Sequence, residues 1–289
     1  MAEAPELPRS WGGGSEPAWR AVLRKAYLFT YLRGWLVWSS YRAQVALTLV
    51  GWLVPVFLYF LLAVFLGAAG SSISALDGGS YIAFFVVGLA YQGFVSNLVG
   101  MLAQRIRNEQ MMGTLEHVFL SPTSPGAVLA YSSLFGVTLN VVATGVILAV
   151  GWGVLGVHFV VNLPTVLLAT VLLAVSSTGL GLVAAAFIMW TKQGNPVATF
   201  FALFTQFFAG VLFPVSVLPS PIRFLAYSVP LTFGLDALRS GLLQGGSISS
   251  QAAPLAWMAV YALVTVPLGI WLFRVVLQRT KIDGTIATY

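Results

Sequence analysis

Residues 127–150 read AVLAYSSLFGVTLNVVATGVILAV, twenty-four consecutive positions without a formal charge. As a helix rising 1.5 Å per residue, this run measures about 36 Å, enough to cross about 30 Å of hydrocarbon. Working outward, no Asp, Glu, Lys or Arg occurs over residues 117–191, and Asp77 is the sole charge over residues 43–104. Residues 193–222 and 240–273 are also uncharged. Over the whole 289 residues only 8% are charged and 58% are hydrophobic, with a mean hydropathy of +0.91. A water-soluble domain carries about 25% charged residues, so this chain lacks the charge to coat a soluble surface. It reads as a polytopic membrane protein.

Turn residues cut the apolar stretches into six spans, at about 43–66, 81–102, 127–150, 164–190, 196–218 and 253–273. Gly151-Trp-Gly, Gln193-Gly-Asn-Pro and Leu243-Gln-Gly-Gly-Ser are typical of this punctuation. The net charge of +6 would suggest nucleic acid in a soluble protein. Here it orients the bundle instead. Twelve of the fourteen basic residues fall before span one, between spans two and three, between four and five, and after six. Only Arg223 and Arg239 fall on the other side, so the positive-inside rule predicts cytoplasmic termini. An odd number of spans would spoil this segregation. Residues 1–16 read as a loose cytoplasmic tail without a signal-peptide core, and 17–289 as one membrane domain.

Ahead of the first span, residues 19–38 place Arg20, Arg24, Tyr27 and Tyr31 at i, i+4, i+7 and i+11, one face of a helix. A basic, aromatic helix at this position predicts an interfacial helix lying on the cytoplasmic leaflet, against anionic lipid. Between spans two and three, residues 105–125 read RIRNEQMMGTLEHVFLSPTSP. A short surface helix at about 109–120 would expose Met111, Met112, Leu115, Val118 and Phe119, flanked by Arg107, Glu109 and Glu116. That patch suits either a soluble partner or a seat on the bilayer. Between spans five and six, prolines and glycines divide residues 219–244 into pieces too short to span, predicting two short helices dipping into the outer leaflet. Pro230 opens the second piece. Asp236 and Arg239 are three apart and suit pinning this re-entrant hairpin or contacting substrate.

Several chemistries are excluded or disfavoured. With no cysteine there is no disulfide or thiolate site, and His117 and His158 alone make no histidine-rich metal centre. Proton-coupled transport needs a titratable group inside the membrane, and none of the six spans holds an acidic residue or histidine. A membrane enzyme would need clustered ionisable groups, which are scattered here over loops. A P-loop needs lysine after glycine, and Lys25, Lys192 and Lys281 each follow another residue. A non-transporting scaffold remains the rival from a different class, alongside a sodium-coupled secondary transporter.

Two motifs carry a family resemblance. Glu109-x-x-x-Gly113-Thr114-Leu115-Glu116, followed by Ser121-Pro122, resembles the coupling-helix motif of type-2 ABC exporter permeases. The run from Pro230 to Arg239, PLTFGLDALR, is similar to that family's segment before the last span. The resemblance implies an all-α integral membrane fold with six transmembrane helices, an N-terminal interfacial helix, a cytoplasmic coupling helix and an external re-entrant hairpin. It further implies a homodimer, meeting through spans one and five, that works with two copies of a separate cytoplasmic ATPase binding ATP and Mg. The ATPase would receive Arg107, Glu109, Met112, Gly113, Thr114, Leu115, Glu116 and His117, and Arg20 and Arg24 would touch it or anionic headgroups. The setting would be a prokaryotic plasma membrane. Within the family the chain looks closest to the drug and lipophile branch, with polysaccharide or glycolipid export as the alternative.

Polar and aromatic residues inside the spans nominate a neutral path: Phe84, Tyr91, Gln92, Ser96, Asn97, Thr205, Gln206 and Phe208. Helix-to-helix hydrogen bonding is the competing use of the polar ones. Ser177, Gly181 and Ala185, at i, i+4 and i+8, predict close helix packing on span four, and Pro55 and Pro267 predict kinks in spans one and six.

Overall fold

The computed structural model describes residues 18–68, 81–112, 125–191 and 195–282. The tail and Gly113, Thr114, Leu115, Glu116 and His117 of the predicted coupling helix lie outside the described residues. Those described are helical or irregular, without a strand. This is the all-α membrane architecture expected where each backbone N–H and C=O must find its partner away from water.

Residues 18–40 form a nearly continuous rod: α1 (Ala18–Tyr27), a π-helical stretch (Leu28–Trp35) and α2 (Leu36–Ser40). The chain turns at Tyr41 into α3 (Arg42–Ala68). The long helices α4 (Tyr81–Met111), α5 (Pro125–Gly153) and α6 (Leu163–Thr191) follow, then the short α7 (Pro196–Phe208). A 3-10 turn (Val215–Val217), α8 (Arg223–Ala226), α9 (Pro230–Leu243) and α10 (Ala252–Ile282) complete the described chain. Among the described residues five helices, α3, α4, α5, α6 and α10, are long and apolar enough to cross a membrane.

Two boundaries differ from the sequence-based expectation. The first is span two, where α4 does not end near residue 102 but runs on to Met111. Arg, Gln, Glu and Met are good helix formers, and leaving the hydrocarbon does not by itself stop a helix. Residues 109–111 therefore finish α4 instead of starting a separate surface helix. The second is the predicted continuous span 196–218, which is corrected to a 13-residue helix, about 20 Å long. Asn195 caps α7 by accepting from Ala198 N at 3.2 Å, and Pro196 sits in its first turn. The far end breaks at Gly210, whose φ of +78° only glycine adopts freely.

α6 is the central post. Its most extensive partner is α10, with α4 on another side and α9 laid across it. α5 packs on the outer flank of α4, and the 18–40 rod packs on α5. There Phe29 stacks on Tyr131 (centroids 6.1 Å apart) and Trp35 meets Phe135 edge-on. Trp35 Nε1 donates to Thr138 Oγ1 at 3.3 Å. Arg20, Arg24, Tyr27 and Tyr31 are exposed on the rod, with the two tyrosines stacked at 5.3 Å.

Within α6, Gly181 of the predicted small-residue stripe faces the backbone of Leu98 and Val99, so the stripe is the α4 contact. A second seam joins α6 to α10. There Thr265 Oγ1 donates to Ser176 O at 3.1 Å, and Gly179 and Gly269 bring the two backbones together.

Candidate functional site

α3, the least packed of the long helices, leans over α4 and leaves a groove between them. One chamber of about 520 Å³ lies toward the end of the bundle carrying Arg105, and is closed by α5 and the start of α7. A second chamber of about 700 Å³ lies further along α3. Trp52 and Asn97 line both, so the two chambers adjoin. On α4 their combined lining runs from Leu89 to Asn108, nineteen residues apart, or about 28 Å. Together they extend along α4 for about the thickness of the hydrocarbon core.

The groove's walls are largely apolar, with uncharged polar side chains set among them. Gln92 Nε2 lies 2.9 Å from Thr205 Oγ1, 2.9 Å from Ala202 O and 3.2 Å from Ser96 Oγ, tying α4 to α7. Gln92 Oε1 is buried and accepts no hydrogen bond among the described residues. Asn97 donates to Asn140 Oδ1 at 3.2 Å, and Asn140 donates to Phe94 O at 2.8 Å. Gln206 donates to the Tyr59 hydroxyl at 2.8 Å, and Tyr59 stacks on Phe85. Among the described residues the only formal charge lining either chamber is Arg105, at one mouth, 3.3 Å from Glu109.

The predicted path divides on inspection. Gln92, Ser96, Asn97 and Gln206 line the groove, and Thr205 is buried beside it as a partner of Gln92. Tyr91 instead faces α6, its hydroxyl 3.1 Å from Thr170 Oγ1, and lines neither chamber. Phe208 packs on Phe204, with ring centroids 4.9 Å apart, and lines neither chamber. Phe84 is buried beneath Arg239, whose guanidinium carbon lies 3.4 Å from the ring centroid. These three side chains pack against their neighbours and line neither chamber. Ser176, Ser177 and Thr178 bond back to carbonyls of their own helix, which satisfies them without a ligand.

Sequence reading missed the α3 wall. Thr48, Trp52, Pro55 and Tyr59 fall at i, i+4, i+7 and i+11, and that stripe of unusual residues on an otherwise aliphatic helix was the available signal. Asn195 and Gln104 also line the inner chamber and carried no such pattern.

Of the predicted partner-contact residues, Arg107, Glu109 and Met112 are described. Met112 is exposed, whereas Glu109 is largely buried and paired to Arg105. Glu109 belongs to the helix that walls the groove and pairs at i, i+4 with the partly exposed Arg105.

At the other end of the bundle Arg239 holds the break after α7. It is buried on α9 and its Nη2 donates to Gly210 O at 2.9 Å and Phe84 O at 3.2 Å. Tyr81 donates to Leu212 O at 3.2 Å, so two carbonyls in the break after α7 find side-chain donors. Gly88 permits this approach, since a Cβ there would stand 2.8 Å from Val211 O. Asp236 is exposed on the same helix.

Residues 29–243, about three quarters of the chain, match the family described as the ABC-2 type transporter. No curated protein matches the sequence.

Proposed function

The chain belongs to the ABC-2 type transporter family, a membrane permease subunit with its ATPase on a separate polypeptide, and from that premise we propose that it exports a neutral lipophilic or lipid-linked cargo. The observation that carries this reading is the pair of adjoining chambers beside α3, lined by uncharged side chains apart from Arg105 at one mouth. Its Asn and Gln side chains offer hydrogen bonds to a headgroup, while α3 is exposed enough for tails to stay in lipid. The Arg105 mouth is the cytoplasmic one by the positive-inside rule, which puts both termini in the cytoplasm of a prokaryotic cell. Two permeases associate through the exposed faces of α3 and α7, which carry Phe57, Leu61, Phe200 and Leu203. Two ATPases bind ATP and Mg below them, and their closure shifts the groove between access states.

The test places a plug where the chambers join. Asn97→Trp is expected to cut ATP-driven accumulation of a neutral lipophilic dye in inside-out vesicles by at least about tenfold, a barrier change of about 1.4 kcal/mol. Membrane insertion and ATPase retention stay as in the parent. Dye accumulation at the parental rate in the plugged variant would sink the groove as the path. A parent that moves no lipophilic dye would sink the cargo class.

Coupling is proposed to pass through the segment that follows α4. Glu116→Lys, a charge reversal, is expected to leave insertion intact and to release the ATPase on affinity purification. Co-purification at the parental ratio, together with undiminished transport, overturns that role.

A further inference from the structure

On the side of α4 away from α3, a slot of about 570 Å³ separates α5 from α10. Its volume falls within the ordinary range of small-molecule sites, about 300–1,000 Å³. Leu98 and Ile106 of α4 and Leu182 of α6 form the floor, with Val137 of α5 and Ile270 and Leu277 of α10 as walls. From Leu98 to Ile106 the floor runs about 12 Å, most of one leaflet's depth. Thr178, Ile270 and Arg274 are exposed at the opening.

The lining is apolar except for three residues. Thr178 Oγ1 is turned to its own helix, bonding Ala174 O at 2.8 Å, and Ser133 is buried on α5. Arg274 is the third, and it makes no hydrogen bond or ion pair among the described residues. Among the described residues no acidic side chain lines the slot.

We propose that this slot holds one acyl chain of an anionic phospholipid whose phosphate is bound by Arg274. An apolar crevice left empty would forfeit the packing of its walls, and inside a bilayer the molecule at hand to fill it is a lipid tail. Arg274 stands one turn beyond Ile270, at the end of the apolar run of α10, where a snorkelling guanidinium reaches the headgroup layer. Its planar fork suits a phosphate, and the absence of acidic neighbours favours a lipid of net negative charge. Met101 and Ser133 line both this slot and the inner chamber of the groove, so the lipid braces one wall of the transport path.

The inference depends on the chain spanning a membrane and not on what it exports, so it is tested without transport. The full-length protein is placed in nanodiscs of equal phosphatidylglycerol and phosphatidylethanolamine, then released for native mass spectrometry. One retained lipid is expected, with phosphatidylglycerol favoured about fivefold, the preference one basic residue confers near a headgroup. Arg274→Gln should bring the preference to about one while Arg274→Lys keeps most of it. Thr178→Trp, which fills the slot from an exposed position, should abolish retention of either lipid. Unchanged melting temperatures establish that all three variants fold. A parent that retains neither lipid or both equally, a preference that survives Arg274→Gln, or retention untouched by Thr178→Trp overturns the assignment.

Discussion

Arg239→Ala is expected to lower the melting temperature of the detergent-purified protein by about 6–12 °C, corresponding to about 3 kcal/mol for a chain of this size. The substitution removes the donor for two carbonyls, Phe84 O and Gly210 O, at 3.2 and 2.9 Å. A buried acceptor left unsatisfied costs about 1–3 kcal/mol, and there are two. It also removes the cation from over the Phe84 ring, worth up to about 2 kcal/mol where water is excluded. The saving in desolvating a guanidinium offsets part of that sum. Arg239→Lys keeps the charge but lacks the planar fork that spans both oxygens and lies flat on the ring, so an intermediate loss is expected. Melting within about 2 °C of the parent for the alanine variant would show that the break after α7 is held by other contacts.

That clamp also marks where the sequence stops being legible. Five membrane helices were readable because absence of charge over about twenty residues is a local property. The truncation of α7 was not, because a hydropathy window sees only that residues 209–218 are apolar. A helix can end inside the apolar layer only when its freed carbonyls meet donors, and the donor for Gly210 lies 29 residues on, at Arg239. The three-residue spacing of Asp236 and Arg239 is visible in the sequence, but the ring under the guanidinium, Phe84, lies 155 positions earlier in the chain.

The groove shows the same division. Gln92 and Ser96 were legible as one helix face, and so was the neutral character of the path. Which polar side chains face it was not, since Tyr91 and Gln92 are neighbours in sequence and point to α6 and α7 respectively. A hydroxyl or amide in a membrane helix has a choice between its own backbone, a neighbouring helix and a ligand. Spacing along one helix does not make that choice; the neighbour does.

The α6–α10 seam gives the second large expected effect. Gly179→Ala is expected to cost at least about 3 kcal/mol, at the top of the range for overpacking, and Gly179→Leu to prevent accumulation of folded protein. A single Cβ on Gly179 would stand 2.6 Å from the Thr265 carbonyl carbon and 2.7 Å from Val266 N. A Cβ on Gly269 would meet the Gly179 carbonyl oxygen from the other side. These are backbone atoms of the most extensive helix pair in the bundle, and no rotamer change relieves them. The helices must part, which also stretches the Thr265–Ser176 hydrogen bond. Apolar side chains gain little by leaving lipid, so close backbone packing is what holds membrane helices together and its loss is not recovered elsewhere. Two further alanine variants make the comparison internal. At Gly181 the added Cβ would lie 3.0 Å from Leu98 O, a contact that a shift of a few tenths of an ångström relieves, so a smaller loss is expected. At Gly145 it meets nothing within 4 Å, and the better helix propensity of alanine should stabilise by up to about 1 kcal/mol. Melting temperatures in the order Gly145→Ala, Gly181→Ala, Gly179→Ala from highest to lowest would attribute the cost to proximity of the opposing backbone. Equal losses at the three positions would attribute it instead to glycine's role within its own helix, and the seam would lose its claim as the tightest joint of the fold.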